Sequence, residues 1–319
     1  MQMQQTMAAP SRAASYAPGA YSYADTLATS QRVNWRIEDI IGPDKPLDFS
    51  KPFMPKNLAR IDSLGMLDDA EKLVLNHIRG HGYLYIFGLV EEFILPFVLD
   101  HARPHLAKDD ARTRALLQFA GEEAKHIDLF KRFRREFQAG FGTDCEVIGP
   151  AAAIADAVLA HDPLAVALLI LHIEWMSQRH YVDSVRDDQD LDPQFKSLLK
   201  HHWMEESQHA KLDTLMVEAL AESRDAAAID AAVDGYLALG GMIDGALKQQ
   251  AAFDLDALTA ATGRRFDAET ATAIITQQHQ AQRWTYIGSG MTHPNFMGTL
   301  QHIAPARAKT LGELAPVFC

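Results

Sequence analysis

Two short glutamate–histidine turns constrain this chain more than any other feature. Glu123-Ala-Lys-His126 and Glu206-Ser-Gln-His209 stand 83 residues apart, glutamate to glutamate and histidine to histidine. They are the two places where one of the 14 histidines follows a glutamate by three. With 15 glutamates in 319 residues, roughly 0.7 such pairs would arise by chance, so each alone is a weak signal. The offset gives the pair its weight. Counting back 83 from Glu174 lands on Glu91, so each half reads Glu and then, 32 residues later, Glu-x-x-His. On a helix, i and i+3 share a face, so each turn presents a carboxylate and an imidazole to one ion.

The surrounding sequence predicts helices to carry those groups. Residues 69–103, 106–138, 162–187 and 193–223 are apolar at helical spacing and bounded by turn signals. Asp68 and Asp69 are good starting residues for the first, and Asp162-Pro163 and Asp192-Pro193 open the third and fourth with proline in the first turn. Gly140-Phe-Gly142 closes the second, and Pro96 predicts a kink in the first. Further helical stretches lie at about 225–253 and 267–288, and no strand pattern of useful length occurs. The expected fold is all-α, a four-helix bundle with additional flanking helices. Residues 1–66 are read as an N-terminal arm, mobile over Met1–Arg32, and a proline-bearing extended wrapping segment; residues 67–319 are read as the helical domain.

Glu91 sits among Leu84, Phe87, Ile94 and Val98, and Glu174 among Leu171, Ile173 and Met176. A carboxylate on an apolar face is expensive unless paired or bound to metal. Four helices supplying Glu, Glu-x-x-His, Glu and Glu-x-x-His make the inward ligand set of di-iron and di-manganese carboxylate bundles. Carboxylate oxygens with one imidazole per ion favour iron or manganese over structural zinc. His202 precedes Glu206 by four and shares its face, adding a third histidine to the cluster or to its surroundings. The rival reading makes each turn a solvated pair on a helix face. Glu92 competes with Glu91 as the first-helix ligand, and the 83-residue offset favours Glu91. Glu122 and Glu205 are expected to face solvent or to support the ligands. His172, His180 and His201 are read as ordinary helix residues, Tyr181 as packing rather than a hydrogen bond to a ligand, and Trp175, Met176 and Trp203 as core. Gly288-Ser-Gly290 lacks the third glycine and preceding strand of a dinucleotide site.

The run His202-Trp-Met-Glu-Glu206-Ser-Gln-His209, with Glu122-Glu123-Ala-Lys-His126 and Glu91-Glu92-Phe-Ile, resembles the p-aminobenzoate N-oxygenase family of ferritin-like di-iron enzymes. The resemblance covers mainly residues 80–215. It implies seven ligands, Glu91, Glu123, His126, Glu174, His202, Glu206 and His209, with Glu123 or Glu206 bridging. It further implies two iron ions, with manganese as an alternative, and O2-dependent oxidation of an arylamine nitrogen. The site residues expected are those metal ligands alone, with no separate catalytic or cofactor-binding residue. Alternatives on the same scaffold are C–H hydroxylation of another substrate and ferritin- or rubrerythrin-like handling of iron or peroxide.

Composition narrows the remaining classes. The net charge is −12, and an acidic chain without a Lys/Arg stripe is a poor nucleic-acid ligand. Two cysteines, Cys145 and Cys319, exclude a disulfide framework and a cysteine-held cluster. No secretory signal is read at the N-terminus, and no apolar run is read as long enough to span a membrane, so a cytoplasmic protein is expected. Without a flavin, nicotinamide or iron–sulfur motif, electrons for O2 chemistry are expected from an external donor, a reductase or ferredoxin-like carrier. The other expected partners are a small-molecule substrate and O2, and the family resemblance adds a possible homodimer.

Overall fold

A computed structural model describes residues 16–319, and among them there are helices and no strand. Three short helices come first: α1 (Tyr23–Ser30), α2 (Ile37–Ile40) and α3 (Lys56–Ala59). The bundle follows as α4 (Asp69–Ala102), α5 (Asp110–Phe141), then a long connection containing α6 (Ala151–Leu159), then α7 (Pro163–His180) and α8 (Pro193–Glu222). Long helices α9 (Ala226–Thr262) and α10 (Ala268–Arg283) flank it, and α11 (Ser289–Met291), α12 (Pro294–Ile303) and α13 (Pro305–Leu314) complete the chain.

Local chemistry sets these limits. Asp68, Asp109, Asp162, Asp192, Asp225 and Asp267 each accept a backbone N–H at the start of α4, α5, α7, α8, α9 and α10. Each such cap stabilises its helix by about 1 kcal/mol over alanine. Gly142 and Gly263 end α5 and α9 with φ of 75° and 69°, a conformation that glycine adopts without the penalty a Cβ brings. Helices α7 and α10 run on through five-residue π-helical turns at Tyr181–Val185 and Trp284–Gly288, which accounts for expected ends that lie beyond His180 and Arg283.

Helix α4 packs along α5 and α7 along α8, while α9 lies against both α4 and α7. Helix α7 is therefore enclosed, and every residue from Leu164 to Gln178 is buried. That explains its unbroken apolar stretch from Leu164 to Leu171, since a helix covered on all sides needs no polar face. The interior is heavily aromatic, with Phe87, Phe119, Phe130, Phe133 and Phe195 among its fully buried side chains.

Two expectations need correction. The mobile arm does not extend through Arg32: residues 1–15 lie outside the described residues, but Tyr23–Ser30 is a helix that buries Thr26, Leu27 and Ser30 against α5 and α8. An eight-residue helix has little stability alone and forms here because it docks. Finally, Asp69–His105 and Ala226–Thr262 are long and apolar enough to cross a membrane by length and composition. In the first, 67% of the apolar window is buried within the bundle; in the second, 28% is.

Candidate metal centre

The four bundle helices bring the predicted residues to one place. Helix α4 supplies Glu91, α5 supplies Glu123 and His126, α7 supplies Glu174, and α8 supplies His202, Glu206 and His209; none is more than 4% exposed. Two overlapping sets of four each place their ligand atoms within 4.8 Å of one another: Glu91, His126, His202 and Glu206, and then Glu123, His126, Glu206 and His209. Six of the seven predicted residues thus converge, with His126 and Glu206 shared. Glu174 belongs to neither set, but its carboxyl lies against Glu206, and burial together with that neighbour holds it well above the usual carboxylate range. The choice between neighbours on α4 is equally clear, because Glu92 turns outward to pair with Lys131 at 2.7 Å.

The imidazoles are oriented from outside. His126 Nε2–H donates to Glu205 Oε2 at 2.8 Å, and His209 Nε2–H donates to Glu122 Oε2 at 2.9 Å. Each turn therefore has the form Glu-Glu-x-x-His, and the first glutamate of each helix holds the histidine of the other. A carboxylate on one ring nitrogen fixes the proton there and leaves the other nitrogen as a lone pair. The inward Nδ1 atoms then face carboxylate oxygens: His126 Nδ1 lies 3.0 Å from Glu206 Oε1, and His209 Nδ1 lies 2.9 Å from Glu123 Oε1. His202 turns its Nε2 inward, 3.1 Å from Glu91 and 2.9 Å from Glu206.

Lone pairs facing anionic oxygens at these distances repel unless positive charge lies between them. The buried atoms Glu91 Oε2, both Glu123 oxygens, His126 Nδ1, Glu174 Oε2 and Glu206 Oε1 make no hydrogen bond, although buried polar atoms are otherwise almost always paired. Electrostatics has the same sign. Burial alone would lower His126 and His209, yet the surrounding carboxylates raise both well above the usual histidine value. A pocket that draws protons this strongly draws cations. Four buried carboxylates and three imidazoles fit two divalent ions in charge and in donor type, so the cluster is able to hold two metal ions.

No family model matches this chain, and no curated protein matches it in sequence. Among solved structures, it is similar to a variant of an R2-like ligand-binding oxidase with an aerobically reconstituted Fe/Fe cofactor. That likeness has 14% identity and a TM-score of 0.46, over 84% of this chain and 94% of that one. It is also similar to a variant of an R2-like ligand-binding oxidase with an anaerobically reconstituted Mn/Fe cofactor, at 14% identity and a TM-score of 0.45, over 84% and 94%.

Several contributors escaped the sequence reading. Ser30 of α1 donates to Glu122 Oε1 at 2.6 Å, and Gln118 donates to the same oxygen at 2.9 Å. Lys125 pairs with Glu205 and places its ammonium 3.8 Å over the Trp35 ring. That indole stacks on His126, with centroids 6.0 Å apart and planes 9° from parallel. Asp213, one turn beyond His209, is buried with both oxygens unpaired; burial, with Glu123 and Glu206 nearby, raises it well above the usual value. Its spacing of seven from Glu206 was the available signal. Phe119 stacks on His209 at 4.1 Å, and Phe130 and Phe87 meet His202 edge-on, so the polar cluster is wrapped in aromatic rings.

Other sequence readings resolve simply. Tyr181 stacks on Trp203 at 4.5 Å, a packing role. Gly290 is glycine because a Cβ there would lie 2.4 Å from the His172 ring. Met176, read as core, is buried in the core and also lines an apolar cavity between α4, α6, α7 and α9.

Proposed function

We propose that the protein is a di-metal, O2-dependent oxidase that oxidises the nitrogen of a small arylamine. The observation that carries this reading is the crossed arrangement of the two Glu-Glu-x-x-His turns, with histidine lone pairs and unpaired carboxylate oxygens converging in a buried pocket. Glu91, Glu123, His126, Glu174, His202, Glu206 and His209 would hold the metals. When bound, an iron pair, or iron with manganese, supplies the redox chemistry of O2 reduction.

The chain's own residues make that chemistry specific. Glu122 and Glu205 keep the Nε2 protons of His209 and His126 away from the centre and fix both rings. Phe87, Phe119 and Phe130 exclude water from the imidazoles, which strengthens every electrostatic interaction inside. The apolar cavity next to α4 and α7 offers a place for an organic substrate, a feature that iron storage does not need. A reductase or ferredoxin-like carrier would deliver the electrons.

The test is direct. Reduced, iron-loaded protein is mixed with 18O2 and a panel of anilines, and products are read by mass spectrometry. Label on nitrogen is the expected result. Label on carbon would move the assignment to a C–H hydroxylase, and iron oxidation with no label in any amine would end the oxygenase reading.

A further inference from the structure

The cavity between α4, α6, α7 and α9 has a volume of about 100 Å3 and a wall of unusual uniformity. Aliphatic, aromatic and methionine side chains make up all of it except one tyrosine, Tyr286, and no charged residue lines it. Tyr286 is buried, and that burial raises its pKa above the ordinary value, so it stays a neutral phenol. One neutral hydroxyl therefore stands in an otherwise apolar chamber. An apolar cavity of roughly 150 Å3 takes up benzene readily; the chamber here is about two-thirds of that, on the scale of one small ring and no more.

The cavity's position ties it to the metal centre. Phe87 belongs to both, lining the cavity and meeting His202 edge-on at 5.5 Å. Val90 and Ile173, also in the wall, directly precede Glu91 and Glu174. At the far side lie Met242, the most exposed of the lining side chains at 37%, and Ala246 one turn further along α9.

We infer that this cavity seats the substrate's body and selects a neutral ring over an anionic one, so that aniline and its uncharged derivatives enter while aminobenzoates do not. The term substrate rests on the oxidase reading above; the selectivity rests on the wall alone. A carboxylate pushed into this chamber would find one hydroxyl and no cation. Burying a charge without a partner is among the costliest steps a protein can make. The family that the motifs resemble is named for a carboxylated amine, so the wall of this chain points to a different preference.

Binding to the full chain, freed of metal by a chelator, tests the selectivity without any turnover. Aniline, 4-methylaniline and 4-aminobenzoate are titrated by calorimetry. The two neutral amines are expected to bind at least roughly 100-fold more tightly than 4-aminobenzoate. Ala246→Phe, which fills the space beside the mouth, is expected to weaken the neutral amines by about tenfold or more, with iron content after reloading unchanged. Should that variant fail to fold, Met242→Arg serves instead. Placing a guanidinium at the mouth is expected to raise 4-aminobenzoate affinity and narrow the preference. Equal or tighter binding of 4-aminobenzoate by the unaltered protein would overturn the inference, as would neutral-amine binding indifferent to a folded Ala246→Phe. Selective binding with no labelled product would sink the oxidase reading and leave the cavity's preference standing.

Discussion

The protein buries histidines in several places, and two of these neighbourhoods are finished in opposite ways. On α7, His172 accepts a hydrogen bond from the Tyr236 hydroxyl at 2.8 Å and donates to the Tyr286 carbonyl at 3.2 Å. His180 accepts from Tyr83 at 3.0 Å and donates to the Thr285 carbonyl at 2.9 Å. Both nitrogens of each ring are used, and burial pushes His172 down to about 4 and His180 to about 3. On α5 and α8, one nitrogen of His126 and of His209 is held by a glutamate, while the other meets carboxylate oxygens, and both pKa values rise. Burial is common to the two groups. What separates a structural histidine from a metal-facing one is whether a nitrogen is left over, and which charge surrounds it.

That contrast can be broken most forcefully at the centre itself. His209→Ala or Glu123→Ala is expected to reduce metal from about two ions per chain to below one, read by elemental analysis of the purified protein; full occupancy in both variants would dissolve the distinction. Next in size, Glu205→Gln and Glu122→Gln keep a hydrogen-bond acceptor but lose charge behind His126 and His209. Metal affinity should fall about 10- to 100-fold in each, measured by competition with a chelator.

The α7 histidines sharpen the comparison from the other side. His172 has a folded pKa near 4 against an ordinary value of 6.5, so its neutral form stabilises the fold above pH 6.5. That contribution, about 3 kcal/mol, is lost as pH falls from 6.5 towards 4. His172→Gln removes the ionisation while retaining a donor and an acceptor. Chemical unfolding at a series of pH values should therefore show a shallower acid slope, with metal content unchanged. A steep slope preserved in this variant would place the acid sensitivity elsewhere. The smallest effect is expected at Ser30→Ala, which deletes one of the two side-chain donors other than His209 to Glu122: about 1 kcal/mol of stability and a few-fold change in metal affinity, with iron still bound.

Much of this arrangement was readable beforehand, and the reasons are physical. The 83-residue offset pointed to Glu91 over Glu92 because a repeated group must recur with its helix, and Glu91 is the one that joins the buried cluster; the aspartate caps announced where the bundle helices begin. The supporting ring was harder to see. Glu122 and Glu205 are adjacent to ligands, so helical phase points them away from the ligand face, and only the packing of α5 against α8 turns that direction towards the partner's histidine. The apolar cavity gave no signal beforehand, because a cavity is defined by what surrounds it, not by any one side chain. Helix α1 carries a weak local signal and gains its order from the surface on which it rests.

The first helix and the residues just after it also have a practical consequence. Trimming the chain beyond Trp35 would spare every candidate ligand and all four bundle helices. It would nevertheless remove the serine hydroxyl behind His209's glutamate and strip the indole from His126. Such a shortened protein would test whether the scaffold alone suffices for iron uptake.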